Sequence, residues 1–389
     1  MKIVIITLSI LHLFVCNSKS SFRNDEGKSN INSDSSFTIS ISVVGDLMCH
    51  SPQFEYARVG KDSFDFAPVY RNVKDYLNRS DFTFGNLETV TAGKNSGGYT
   101  GYPFFNTPAS YITALKEIGI DALVTANNHC LDRGEKGILK TIEEIDSRKL
   151  SYIGTYTSQR DRDSIRIFDI KGIKIAILAY SYGTNGNQIP KGKSYTVNLI
   201  DYDLILKDIK SARRNGAELV LVHFHFGEEY KREPVQFQRD VVNKTIELGA
   251  DIIIGGHPHV LQPVNFFKAQ NAKLDTGFVA YSMGNFFTNQ RKIYTDAGLI
   301  LTIKIRKDLM TNYFNIDRVS FLPTWVFKGN TDNGREYVIL PSTNYIDTTL
   351  NLSKSDSVIM NQAYDNTRYI INKYSNNSRL KEKEIRLEE

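Results

Sequence analysis

The chain has 389 residues, enough for one large domain or two modest ones with a buried core. A hydrophobic fraction of 41% and a charged fraction of 23% are those of an ordinary globular protein, which excludes a fibrous or wholly disordered chain. The formal charge of +5 is slight for this length, and no lysine/arginine block with interleaved aromatics occurs, so no nucleic-acid partner is expected.

In chain order, Lys2 precedes an apolar stretch over 3–15 that is too short to cross a bilayer as a helix. Polar Asn17-Ser18-Lys19-Ser20 follows, so residues 1–20 read as an export signal. Two forms of it stay open. Cys16, with Leu13 three before it, suits an acylated lipoprotein cysteine; Val15 stands where that signal wants a small residue, which suits a plain secreted chain. Either form places the protein in the cell envelope, as a membrane-anchored lipoprotein, or in the periplasmic or extracellular space. Membrane contact is then expected only through the lipid anchor. Residues 21–37, rich in Ser, Asn and Asp, read as a flexible tether.

From there β-branched runs alternate with amphipathic stretches. Residues 37–44, 82–87, 122–125, 173–180, 219–225, 252–254 and 278–281 predict strands. Residues 67–77, 108–118, 134–148, 201–214 and 234–248 predict helices; the last begins with Pro234 and stops at Gly249. This alternation predicts an α/β fold with a largely parallel sheet. Lys171-Gly172 between two apolar runs predicts a hairpin. Residues 298–305 and 314–321 lack an intervening helix and predict an antiparallel pair. One main domain is expected over 38–345, with a polar tail over 346–389 holding a helix at 358–374. Apart from Cys16 only Cys49 and Cys130 remain, which read as two small buried thiols rather than a disulfide framework.

Five of the seven histidines sit in three short clusters at the ends of apolar runs: His129, the pair His223 and His225, and the pair His257 and His259. Asp46 follows Gly45 after the first run, and Glu88 follows Gly85-Asn86-Leu87 after the second. Residues two apart on a strand share a face, so each histidine pair points one way. Imidazole, carboxylate and the amide oxygen of Asn128 together suit divalent transition metals, and Mn, Zn and Fe fit such a set alike. There are donors enough for two ions, a pair that activates water and clamps both oxygens of a displacement. His129 then serves as proton donor to the leaving group, because imidazole titrates near neutral pH.

These residues resemble the capsule-synthesis CapA family, associated with poly-γ-glutamate capsules, within the calcineurin-like metallophosphoesterase superfamily. The resemblance runs from about residue 40 to about residue 340. It rests on Gly45-Asp46-Leu47-Met48, Gly85-Asn86-Leu87-Glu88, Ala126-Asn127-Asn128-His129 with Leu131-Asp132-Arg133-Gly134, and Tyr180-Ser181-Tyr182-Gly183-Thr184-Asn185-Gly186. It continues in His225-Phe226-Gly227-Glu228-Glu229-Tyr230, His257-Pro258-His259-Val260-Leu261-Gln262-Pro263 and Tyr281-Ser282-Met283-Gly284-Asn285-Phe286, and closes with Asn289-Gln290-Arg291. The resemblance implies a four-layer α/β/β/α sandwich of metallophosphoesterase type. It implies metal ligation by Asp46, Glu88, Asn128, His225, His257 and His259, with His129 as catalytic acid. Asn127, Asp132, Arg133, Glu229, Tyr230 and Asn285 then line or support the pocket. His223 is not part of that pattern and is expected to support the ligands from behind or to serve the core. Several departures matter: metallophosphoesterases usually carry a histidine two residues after the first aspartate, where Met48 stands, and a bridging aspartate where Glu88 stands, and Phe226 takes the place of a frequent tryptophan. His50, four beyond Asp46, is the residue available to substitute for that histidine.

Two functions fit. One is an exported, metal-dependent hydrolase acting on an anionic envelope polymer or a small anionic substrate. The other is a non-catalytic, metal-stabilised envelope component that binds an acidic polymer for synthesis or export.

Overall fold

The computed structural model describes residues 35–332, 334–342, 350–374 and 378–382. The export signal, its Cys16 and nearly all of the tether lie outside these residues. Ser36 and Phe37, placed in the tether by composition, already belong to the first strand. The chain divides into two compact units, Met1–Ser35 and Ser36–Glu389, and Ser35 alone of the first is described.

The second unit runs β1 (Ser36–Leu47), α1 (Ser51–Tyr56), α2 (Ala67–Tyr70), α3 (Lys74–Leu77), β2 (Phe82–Leu87), α4 (Ser110–Glu117), β3 (Ala122–Val124), α5 (Gly134–Ser147) and β4 (Ser151–Ile153). It continues through α6 (Gln159–Asp163), β5 (Ile167–Ile170), β6 (Ile173–Ser181), α7 (Tyr202–Arg214), β7 (Leu219–His225), α8 (Gln236–Leu248) and β8 (Ile252–Gly256). The last part holds β9 (Val264–Lys268), β10 (Thr276–Ala280), β11 (Asn285–Phe287), β12 (Ala297–Asp308), β13 (Phe314–Thr331), β14 (Gly334–Pro341), α9 (Lys354–Asn372) and β15 (Leu380–Glu382).

Two sheets result. The larger has the order β14-β13-β12-β1-β2-β3-β4, with β11 added beside β1 and β15 beside β13. The smaller has the order β5-β6-β7-β8-β10-β9. Strands β1 to β4 are parallel neighbours, as are β6, β7, β8 and β10; β12 to β14 form an antiparallel extension.

Side-chain alternation decides the layering. Ile39, Ile41 and Val43 of β1 meet Leu221 of β7 and Ile254 of β8 between the sheets. The opposite face of the larger sheet buries Val44, Leu47 and Leu123 under Leu115 of α4 and Ile145 of α5. The outer face of the smaller one buries Val220, Val222 and Phe224 under Ile209 of α7 and Val242 of α8. With both faces covered, β7 reads as an almost continuous apolar run, which is what a buried parallel strand requires. Fully burying each such side chain stabilises the fold by about 1.5–3 kcal/mol. The order is helix, sheet, sheet, helix: the four-layer α/β/β/α sandwich.

Some local expectations change. The stretch 67–77 is two short helical turns broken at Val73, whose backbone (φ −120°, ψ −11°) leaves the helix. The break lets Tyr70, Val73 and Leu77 all reach the core. The hairpin at Lys171-Gly172 forms with both residues left-handed (φ 49° and 87°), as a two-residue turn demands. The polar C-terminal helix is no free tail. Its face of Met360, Ala363, Ile370 and Ile371 packs on the core, and β15 pairs with β13. Among the described residues no helix is long and apolar enough to cross a membrane.

Candidate metal centre

Every donor lies at the carboxyl end of a parallel strand, where an open α/β sheet collects its ligands. Asp46 ends β1 and is in register with Asn86 of β2; His225 ends β7 and is in register with Gly256 of β8. Glu88 follows β2, Asn127 to His129 follow β3, and His257 and His259 follow β8. Gly256 is needed because a Cβ there would stand 2.7 Å from Asp46 Oδ1. His257 and His259 adopt left-handed backbone (φ 98° and 57°), a strain of about 1–3 kcal/mol each that is typical of binding sites. The strain turns both rings into the gap between the sheets' ends.

There the side chains converge. His225 Nε2 lies 3.4 Å from Glu88 Oε1 and 2.9 Å from Asn128 Oδ1. His259 Nε2 lies 3.8 Å from the same Glu88 oxygen, while its Nδ1 lies 3.1 Å from Asn285 Oδ1 and 3.3 Å from Asp46 Oδ2. Both neighbours of Nδ1 accept, so Nδ1 carries a proton and Nε2 faces Glu88. Asn285 is itself fixed, because its amide donates to the His259 and Thr295 carbonyls. Three sets of donor atoms fall within 4.8 Å of one another: Glu88, His225 and His257; Asp46, Glu88 and His259; and Glu229, His257 and His259.

Electrostatics show what the cluster lacks. Burial and the Asp46 charge push the Glu88 carboxyl well above the usual carboxylate range. Burial opposes ionisation of Asp46 too, yet the hydrogen bond and charge of His259 hold it well below its ordinary value. Burial lowers His225 to about 3 and His257 to about 2, so both are neutral bases. For His259 burial is outweighed by Glu88 and Asp46, which raise it to about 9. Both Glu88 oxygens and His257 Nδ1 are buried with no hydrogen-bond partner. Leaving one such group unsatisfied costs about 1–3 kcal/mol, and a buried carboxyl beside another carboxylate costs more. A divalent cation among Glu88, Asp46 and the imidazoles would satisfy all of them. The donor set fits a metal.

His129 stands beside this cluster. Its Nδ1 lies 2.8 Å from Asp132 Oδ2, which also accepts from the Phe105 backbone N–H. The ring packs edge-on to Phe105, and Asn185 Nδ2 stands 3.5 Å from Nε2. Asn127 accepts from the His129 N–H and donates to the Leu87 carbonyl, tying the β3 loop to the Glu88 strand.

Other expected residues take different places. His50 belongs to none of the donor sets: its Nδ1 lies 3.1 Å from Gln53 Oε1 and 3.4 Å from the Asn289 N–H. Its Nδ1 is thus engaged outside those sets. Arg133 turns to Thr100 and the Phe104 carbonyl instead of the cluster. His223 lies one step below His225 on the core side, with burial holding it to about 3. Cys49 and Cys130 are buried and unpaired.

Sequence reasoning passed over three contributors. Asn86 donates to Asp46 Oδ1 at 2.7 Å and lies 3.1 Å from His225 Nδ1, so one amide orients two donors. Asn185 reaches both His129 and Asn128. Tyr182 packs 4.6 Å from the His257 ring. All three sit inside the motifs that carry the family resemblance, but the register that pairs Asp46 with Asn86 appears only in the fold. Tyr182 joins Tyr102 and Tyr230 as exposed rings, each beside a different site histidine, at the mouth.

Two sheets with a buried carboxylate–imidazole cluster across their strand ends define an α/β/β/α protein with a candidate metal centre. Residues 40–290 match the model of the bacterial capsule synthesis protein PGA_cap, and the chain belongs to that family. Among relatives, the capsule biosynthesis protein CapA of Bacillus anthracis is 30% identical over 259 residues, 65% of this chain and 60% of that one. The PGA biosynthesis protein CapA of Bacillus subtilis is 27% identical over 272 residues, 69% and 68% of the two chains. The match thus spans well under the full length of the first relative. Solved structures similar to the chain include the Haemophilus influenzae NAD nucleotidase NadN (TM-score 0.47, 14% identity, 90% of this chain and 57% of that one). Another is the calcineurin-like phosphoesterase YfkN from Bacillus subtilis (TM-score 0.42, 14% identity, 86% and 99%).

Proposed function

We propose that this protein is an exported, metal-dependent hydrolase of capsule or envelope polymer biosynthesis, acting on an ester or amide bond of an anionic substrate. The observation that carries the reading is the buried, unpartnered Glu88 carboxylate among Asp46, His225, His257 and His259. When bound, a divalent cation there supplies a Lewis acid that polarises the substrate oxygen and activates water. The chain's own residues do the rest. Asn86 and Asn285 hold the donors in orientation. Asp132 holds the His129 ring so that Nε2 faces outward and can deliver a proton to the leaving atom. Tyr102, Tyr182 and Tyr230 narrow the mouth.

The test is turnover by the purified full chain, loaded with manganese or zinc, on phosphoesters and on γ-glutamyl peptides. Hydrolysis that requires both the metal and His129 supports the reading; its absence on every substrate sinks it. A non-catalytic polymer-binding role is favoured by one observation, Met48 in the place of a ligand histidine with His50 bonded elsewhere. Polymer binding by His257→Ala separates the two readings: unchanged binding with lost turnover supports hydrolysis, and binding without any turnover supports the scaffold.

A further inference from the structure

A second cavity, of about 450 Å³, opens between β13, α9 and the loop that precedes β12. Its floor is apolar, with Leu261, Ala297 and Trp325. Four cations line it: Arg232, Arg291, Lys292 and Lys328. None of the four forms a salt bridge among the described residues. Two acids also line it and accept from neutral donors, Asp296 from Trp325 Nε1 and Asp356 from Ser353 Oγ, so four cations face two carboxylates.

Neutral groups hold the cations in place. Arg232 donates to the Asn366 carbonyl at 2.6 Å and stacks on Tyr294 at 4.1 Å, and its Nε is buried without a partner. Arg291 donates to the Val326 carbonyl at 2.8 Å, and Lys328 to Asn289 Oδ1 at 2.8 Å. Lys328 is held below the usual lysine range by burial and by the charges of Arg291 and Arg335. Positive groups in excess of their counter-charges and paired with none of them repel one another, and an anion relieves that repulsion.

The cavity adjoins the donor cluster. The Lys292 ammonium lies 4.1 Å from the Tyr230 ring, and that ring lies 6.4 Å from His259. We propose that this cleft is an anion subsite, which holds the carboxylates of an acidic chain while a bond of the same chain lies at the metal centre. An apolar floor beneath a cationic rim suits a chain in which methylene segments alternate with carboxylates. Polyphosphate has no such segments. Lys292 and Lys328 lie past residue 290, where the match to the family model ends. The inference rests on the hydrolase reading for what the bound chain is for, and it has its own readout.

The experiment measures binding of a fluorescent hexa-γ-glutamate to the full chain by anisotropy, for wild type, Lys292→Glu and Lys292→Glu/Lys328→Glu. Thermal melting verifies that each variant is folded. Lys292 is exposed, so its reversal leaves the core untouched. The double variant is expected to bind at least about tenfold more weakly, with a shallower salt dependence, and Lys292→Glu by less. Turnover of a small aryl phosphoester stays at the wild-type level. Equal binding by wild type and double variant overturns the subsite. So does inorganic polyphosphate that competes as well as the glutamyl chain, for it would mark a general polyanion patch. A wild type that binds the hexamer through these lysines but hydrolyses nothing sinks the hydrolase reading and leaves the subsite standing.

Discussion

Asp132 Oδ2 and His129 Nδ1 are 2.8 Å apart in a buried contact, and that contact decides which nitrogen of the ring faces the cluster. The carboxylate accepts from Nδ1–H, so Nε2 is the atom left to exchange a proton at the mouth.

Removing the imidazole should therefore cost turnover and not metal. His129→Ala is expected to lower kcat by about 10²–10⁴-fold with metal content unchanged. Asp132→Asn keeps the shape but loses the carboxylate that orients the ring, with an expected fall of about 10–100-fold. Steady-state kinetics beside elemental analysis checks both. Loss of metal in His129→Ala would place that ring among the ligands instead.

Glu88 carries the opposite signature, because it is costly without a cation. Glu88→Gln removes a carboxyl that is buried beside Asp46 with neither oxygen partnered. The metal-free variant should be as stable as wild type, or more stable by about 1 kcal/mol. Its rise in Tm on adding manganese or zinc should largely vanish. Parallel thermal melts with and without chelator give both numbers. A large loss of stability in the metal-free variant would mean that Glu88 is a structural residue.

Cation uptake should release protons at neutral pH. Without metal, burial lowers His259 but Glu88 and Asp46 raise it more, to about 9, so it is protonated near pH 7. His225 and His257, at about 3 and 2, have none to lose. Affinity is thus expected to rise with pH up to about 9, with a proton released from His259. Calorimetry in buffers of different ionisation enthalpy measures that release. The metal-free fold shows the same groups. The His259 contribution to stability is complete below its unfolded value near 6.5 and is lost as pH climbs through 9. Those of His225 and His257 are complete above 6.5 and are lost as pH falls from there toward 3 and 2.

Much of this was legible in the sequence because strand ends announce themselves. The run 219–225 and the pair His223 and His225 fixed a strand and a shared face at once, and β7 has those bounds. The motif Gly255-Gly256-His257-Pro258-His259 named its donors but not its reason. Only the fold shows that Asp46 approaches too closely for a side chain at 256. Asn86 escaped because its role depends on register between β1 and β2, which pairs residues forty positions apart. The C-terminal helix looked like a solvated tail because its buried face is mixed, Met360, Ala363, Tyr364 and Thr367 among polar neighbours. The basic cleft escaped for the same reason, since β13, α9 and the loop before β12 meet only in the folded chain.

Gly255 and Gly256 separate folding from site geometry. A Cβ at Gly255 would stand 2.0 Å from the Tyr281 backbone carbonyl, in a strand where neither chain can yield. Gly255→Ala is expected to destabilise by about 3 kcal/mol or more, visible as poor soluble yield or a lowered Tm. At Gly256 the obstacle is a side-chain atom, Asp46 Oδ1, which also accepts from Asn86. Gly256→Ala can be absorbed if Asp46 turns away, at a cost of about 1–3 kcal/mol. That turn breaks the Asn86 bond and draws a carboxylate out of the donor set. The expected result is a folded protein with metal affinity reduced at least about tenfold, read by titration with a chromogenic chelator. A Gly256→Ala protein with wild-type affinity would show that Asp46 is not needed to hold the cation, and the cluster would then have to be rebuilt around Glu88 and the three imidazoles.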